Sequence, residues 1–121
     1  MVKVLFDTNI FIDYLNTVPQ ARAEFDRYVD IGISSVSWIE VMVGANASTE
    51  VDTRRFLAQF TTVPLDQEVA EQAVVLRRRY RLKLADAVSW ASAQVAGRLF
   101  VTRDAKDFAH DVADIRIPYR L

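Results

Sequence analysis

Four acidic residues, Asp7, Glu40, Asp86 and Asp104, stand where a chain of strands and helices delivers carboxylates to one place. Asp7 follows directly on the apolar run Val-Lys-Val-Leu-Phe at 2–6. Glu40 lies one turn into the helix expected after a second strand. Asp86 opens an apolar helical stretch, and Asp104 comes just after the run from Leu99 to Val101. Glu40 has Val36, Trp38, Ile39, Val41, Met42 and Val43 as neighbours, and Asp86 has Leu82, Leu84, Ala85, Ala87 and Val88. A carboxylate in apolar surroundings needs a cation, a hydrogen-bond network or a raised pKa. Several converging carboxylates without basic partners repel one another, and a divalent cation resolves the conflict.

Composition narrows the cation. The chain has no cysteine and a single histidine, His110, so thiolate sites and multi-histidine zinc sites are excluded within one chain. Hard oxygen ligands favour Mg²⁺, with Mn²⁺ as a substitute. Such an ion polarises a phosphate and lowers the pKa of a bound water, which is the chemistry of phosphodiester hydrolysis. Each acid also has a plain structural use. Asp7 and Asp104 suit helix N-caps, Asp86 suits the dipole of its own helix, and Glu40 suits a capping box with Ser37. His110, in an acidic segment, reads as a surface residue, because a metal-activated water needs no protein base.

Positioning these acids requires alternating strands and helices. Residues 2–6 read as a strand buried on both faces, followed by a turn at Asp7-Thr8-Asn9 and a helix from Ile10 to Leu15. Pro19 opens a helix carrying Ala23, Phe25, Tyr28 and Val29. A strand over 31–36 leads to Ser37 as the cap of a helix reaching Ala45, and a further helix covers 50–60. Residues 61–65 form a third strand, ended or placed at an edge by Pro64. Asp66 caps a helix to Tyr80, and a buried helix spans 84–96, stopped by Gly97. Strands at 99–101 and 114–117 complete the pattern. The expectation is an α/β fold: three α/β/α layers around a mainly parallel sheet of four to five strands, in a single domain over 1–121. The 121 residues are 51% hydrophobic with net charge −1, so bulk charge does not argue for nucleic acid, though a local basic patch remains open. The first apolar run is too short for a signal peptide or membrane span, and the default is a soluble cytoplasmic protein.

Four motifs in order now resemble one family. Phe6-Asp7-Thr8-Asn9-Ile10 resembles the opening "DTN" of PIN domains, and Ser37-Trp38-Ile39-Glu40 their "S-x-x-E". Leu84-Ala85-Asp86-Ala87 is similar to the "D-A" that starts a central helix, and Val101-Thr102-Arg103-Asp104-Ala105-Lys106-Asp107-Phe108 to the closing "T-x-D/N…DF". The likeness runs end to end and is nearest to VapC, the toxin of bacterial and archaeal toxin–antitoxin pairs. It implies a Mg²⁺-dependent endoribonuclease, a homodimer and a VapB-type antitoxin that blocks the site. It also implies Asp7, Glu40, Asp86 and Asp104 as metal-binding catalytic residues, with Thr8, Asn9, Ser37 and Thr102 orienting them and Asp107 as either a peripheral acid or a helix-turn residue.

RNA requires cations near such a site. Arg77, Arg78, Arg79, Arg81 and Lys83 precede Asp86, Arg103 and Lys106 flank Asp104, and Arg54 and Arg55 form a smaller pair. Arg77, Arg78, Arg81, Lys83 and Arg103 are the expected RNA track; a solvated helix face explains any one of them equally well. Phe11, Tyr14, Leu15, Phe56, Leu57 and Phe60 are candidates for the family's apolar partner groove and equally for core. Two other readings stay open. A catalytically inactive PIN-like binding module would keep the fold without the chemistry. A haloacid-dehalogenase-like phosphatase would want a second Asp at position 9, which is Asn9, and a lysine as phosphate clamp. A receiver-like phosphoacceptor is disfavoured, since it would want a further Asp at the end of the third strand.

Overall fold

The structure, a computed structural model, describes residues 1–108 and 112–121. Eleven elements follow in order: β1 (Lys3–Phe6), α1 (Thr8–Leu15), α2 (Pro19–Arg27), β2 (Asp30–Ser34), α3 (Ser35–Val43), α4 (Glu50–Leu57), β3 (Thr61–Val63), α5 (Gln67–Tyr80), α6 (Leu84–Val95), β4 (Leu99–Val101) and β5 (Ile115–Arg116). All strand pairs are parallel, and the sheet order is β3-β2-β1-β4-β5. The expected mainly parallel, three-layer α/β architecture is therefore present, with six helices flanking the sheet.

Side-chain alternation along β1 divides the core. Leu5 enters a cluster with Val69, Leu76, Trp90 and Phe100, under α5 and α6. Val4 and Phe6 point to the other face and join Ile10, Phe11, Ile33, Val41 and Leu57, under α1, α3 and α4. With both faces covered, the central strand is apolar at each of these three positions.

The topology also fixes where a ligand can sit. The chain runs outward from β1 through β2 to β3, then returns to lay β4 and β5 on the opposite side. The order reverses between β1 and β4, and open α/β sheets bind ligands at the carboxyl ends of such strands. Asp7 N donates to Val101 O at 2.8 Å, closing the two strand ends against each other.

Several boundaries differ from the sequence expectation, each for a local reason. β2 stops at Ser34, not at 36, because Ser34 is the cap of α3 and its Oγ accepts from Ser37 N at 3.0 Å. Ser37, expected as the cap, sits inside the helix and is buried. α2 ends at Arg27, so Tyr28 and Val29 lie outside it; Tyr28 turns extended and packs its ring edge-on to Phe6 at 6.0 Å. α4 ends at Leu57. Pro19 opens α2, Asp66 caps α5 through Val69 N, and Gly97 takes the left-handed φ of 67° that ends the chain's run out of α6.

Candidate active site

Asp7 is placed by the end of β1 and is only 5% exposed. Its two carboxyl oxygens are both held. Oδ1 accepts from Thr8 N at 2.8 Å, and Oδ2 accepts from Thr102 Oγ1 at 2.9 Å and from Asn9 Nδ2 at 3.4 Å. Thr102 follows β4, so the partner strand supplies the clamp. Burial is the main cause that pushes the Asp7 carboxyl up to about 7 from its ordinary 3.8. The Thr102 hydrogen bond opposes this, and the nearby charges of Asp86 and Glu40 add to it.

Asp86 is in the first turn of α6 and half-buried. Burial raises its pKa first, then the charges of Asp104 and Asp107, while Lys83 pulls the other way. Asp104 is oriented by the loop after β4. Its backbone N donates to Thr102 Oγ1 at 3.1 Å, and its Oδ1 accepts from the N–H groups of Lys106 and Asp107, both at 3.1 Å. Asp86, Asp104 and Asp107 each present an oxygen within 4.8 Å of the others. Asp107, peripheral in the sequence reading, thus joins the cluster. Asp7, Glu40, Asp86 and Asp104 line one open concavity of about 300 Å³ together with Thr8, Asn9, Ile12 and Arg103.

Glu40 differs from expectation. It is exposed, and the apolar residues around it on α3 do not enclose it: Ile39 is 54% and Val43 78% exposed. The helix instead buries Ser37 and Val41. The capping box with Ser37 does not form, because Ser37 is not the cap. Glu40 Oε1 accepts from Thr8 Oγ1 at 2.6 Å, and Thr8 Oγ1 lies 2.7 Å from Ser37 Oγ. The desolvated carboxylate of the site is Asp7, where an N-cap at a strand end gave no sign of burial.

The cations sort into two groups. Arg77, Arg78, Arg79, Arg81 and Lys83 are exposed, with Arg81 in a left-handed conformation just after α5 and Lys83 at the start of α6. Arg103 lines the concavity but is committed: its Nε and Nη2 donate to the two oxygens of Asp13, the latter at 3.2 Å. Tyr119 O–H donates to Asp13 Oδ2 at 2.9 Å. The sequence reading missed Asp13, although a lone acid in the apolar run Ile-Phe-Ile-Asp-Tyr-Leu carried the same signal used for Glu40. Arg54 and Arg55, the smaller pair, are exposed and make ion pairs with Glu50 and Asp52 on their own helix. Phe11 and Leu57 are fully buried, and Tyr14, Phe56 and Phe60 pack around Phe25, so most of the supposed groove is core. His110 lies outside the described residues.

The PIN-domain family model matches residues 4–113. The chain belongs to the PIN-domain family. A chain of a toxin–antitoxin complex from Klebsiella pneumoniae is 38% identical, with TM-score 0.93 over 98% of this chain and 100% of that one. Two more distant structures share the PIN fold. One is DNA-bound VapBC from Salmonella typhimurium, 21% identical with TM-score 0.77, covering 96% of each chain. The other is VapC20 of Mycobacterium tuberculosis, a sarcin-ricin loop cleaving toxin, 15% identical with TM-score 0.70, covering 94% of this chain and 99% of that one. No curated protein matches the chain. No helix among the described residues of this PIN domain is long and apolar enough to cross a membrane.

The Asp7 clamp has a pH consequence. The folded state holds the Asp7 proton up to about pH 7, whereas the unfolded chain releases it near 3.8. Between those values the folded state binds more protons, so stability falls as pH rises through the window. Metal-free protein is expected to lose roughly 2–4 kcal/mol from this group between pH 4.5 and 8. Urea melts of wild type and Asp7→Asn across that range test it. The variant should have a flatter profile, and parallel profiles would place the burden elsewhere.

Proposed function

We propose that this chain is a Mg²⁺-dependent endoribonuclease, acting as the toxin of a VapBC-type toxin–antitoxin pair. The observation that carries the proposal is the convergence of Asp7, Glu40, Asp86 and Asp104 on one concavity at the β1/β4 switch point. The donor set is carboxylate oxygen throughout, which suits Mg²⁺ or Mn²⁺. Asp7 supports a cation most directly: it is buried, yet three donors hold it in the geometry of an acceptor. Its burial favours the proton where no positive charge is near, and a cation beside it would hold the carboxyl ionised with these donors already in place.

In this reading Asp7, Glu40, Asp86 and Asp104 hold the ion, with Asp107 as a further acid at its rim. Thr8, Asn9, Ser37 and Thr102 fix the carboxylates. An ion held there would supply Lewis acidity toward a phosphate oxygen and toward a water. The chain's own contribution is to aim the acceptors and to bring the RNA backbone across them. Arg77, Arg78, Arg81 and Lys83 form an exposed basic margin for the phosphates, and Arg103 presents the part of its guanidinium not bound to Asp13. The 38% identical chain from a toxin–antitoxin complex supports a VapB-type antitoxin as partner. We read the whole of 1–121 as one PIN domain, a homodimer acting in the cytoplasm. The dehalogenase-like alternative is weakened further, because Asn9 is engaged with Asp7, Thr102 and the Arg103 N–H.

Antitoxin-free protein incubated with an RNA panel should cut only with Mg²⁺ or Mn²⁺. Asp7→Asn and Glu40→Gln should each lower the cleavage rate by more than about 100-fold, the upper end of what losing an outer partner costs. No cleavage by wild type, or equal cleavage by both variants, would remove the nuclease reading and leave a binding module.

The basic margin has its own test. Charge reversal of Arg78 and Arg81 should weaken RNA binding across sequences. It should also flatten the salt dependence by about 1.4 in the log–log slope, from two contacts at about 0.7 each. An unchanged slope would place the RNA on another face.

A further inference from the structure

Glu40 is the only one of the four converging acids that is exposed, and a glutamate in water moves freely about three side-chain torsions. The Thr8 hydroxyl is the hydrogen-bond donor the structure gives it. Behind Thr8 runs a line of hydroxyls that no motif of the family resemblance contains in full. Ser34 Oγ lies 3.0 Å from Ser89 Oγ, Ser89 Oγ 3.3 Å from Ser37 Oγ, Ser37 Oγ 2.7 Å from Thr8 Oγ1, and Thr8 Oγ1 2.6 Å from Glu40 Oε1. Ser34, Ser37 and Ser89 are all buried.

Proton counting gives the line a direction. It has four hydroxyl protons and four oxygen–oxygen contacts. The Thr8 hydroxyl stands in donor geometry to both Ser37 Oγ and Glu40 Oε1 but has one proton to give. A carboxylate only accepts, so that proton goes to Glu40, and the Ser37 proton then fills the Thr8–Ser37 contact. Ser37 in turn accepts from Ser89, and Ser89 from Ser34. The Ser34 oxygen is not left idle, because it accepts Ser37 N–H at 3.0 Å. Run the other way, the line would leave the Ser34 proton without an acceptor and Glu40 without a donor. The two contacts nearest the charge are the shortest, as expected for hydroxyls polarised in series.

We propose that Ser89 is a positioning residue for Glu40, acting through Ser37 and Thr8. It ties α6, which carries Asp86, to α3, which carries Glu40, and so sets the divalent-cation affinity of the pair. Without Ser89, Ser34 loses its acceptor and Ser37 its donor, so the Ser37 hydroxyl is no longer held toward Thr8 and the Thr8–Glu40 hydrogen bond loses its backing. The hold on Glu40 weakens, and the cation site must supply more of its ordering on binding. The inference rests on the metal reading of Glu40 given above.

The test is Mn²⁺ affinity of the antitoxin-free full chain, followed by titration calorimetry and by the Mn²⁺ paramagnetic resonance signal. Ser89→Ala should weaken Mn²⁺ binding about 5-fold, somewhat less than the 10- to 100-fold typical of a direct outer partner. Ser89→Cys, a weaker donor of similar size, should fall between the two and stands in if the alanine variant does not fold. Ser92→Ala is the control: this buried serine on the same helix donates only to Val88 O, at 2.7 Å, and its loss should leave affinity unchanged. In a Glu40→Ala background the Ser89→Ala effect should vanish, whereas a packing role acting on Asp86 would persist. Wild-type affinity in Ser89→Ala, equal weakening in Ser92→Ala, or persistence without Glu40 would each overturn the proposal. If Glu40→Ala itself leaves Mn²⁺ affinity unchanged, the metal role of Glu40 fails and takes this inference with it.

Discussion

The buried carboxyl of Asp7 is the constraint around which the rest of the site is arranged. A carboxylate at the end of a central strand, with its face covered by helices, is costly unless donors surround it. Thr8 N, Thr102 Oγ1 and Asn9 Nδ2 do so, and Asp7 N is itself tied to Val101. These partners come from α1 and from the loop after β4, so holding Asp7 also sets where the β4 loop runs. That loop carries Asp104 and Asp107. Thr102 makes the link physical: its one hydroxyl donates to Asp7 and accepts from Asp104 N. The placement of three acids thus depends on one buried interaction.

The remaining acids are brought in by packing. α6 lies against the sheet and is buried over Ala87, Val88, Ser89, Trp90, Ala91, Ser92 and Ala93, so its register is fixed by volume. Trp90 Nε1 and Gln94 Nε2 both donate to Asp114 Oδ2, at 3.0 and 2.8 Å, which locks the helix against the segment leading to β5. Asp86 therefore enters the site from a rigid element. Glu40 arrives on α3, whose inner face is polar where it meets α6, through Ser37 and Ser89. Among the described residues no buried side-chain nitrogen or oxygen lacks a partner, so this polar seam is fully satisfied.

Much of the fold was legible because the signals were local. The apolar run at 2–6 reads as a strand covered on both faces, and Pro19, Asp66 and Gly97 each mark a boundary through the backbone chemistry of one or two residues. The acid positions were legible because strand ends point to one side of a parallel sheet. What escaped were facts of burial that depend on distant chain. The run Ser-Ser-Val-Ser offers three caps, and only the packing of α3 selects Ser34. Glu40 has apolar neighbours, yet two of them face solvent, so a count of flanking residues could not reveal its exposure. Asp13 is a buried residue of α1 whose partners, Arg103 and Tyr119, lie ninety or more positions away. Arg103 was read as free for RNA for the same reason.

A single structure determination bears most directly on the claim that these carboxylates form one divalent-cation site. Crystals of antitoxin-free protein grown with Mn²⁺, with anomalous scattering recorded at the manganese edge, should show an ion in contact with both Asp7 and Asp86 at the β1/β4 switch point. Anomalous density absent from that concavity, or held by Asp104 and Asp107 alone with Asp7 uncoordinated, would contradict the account.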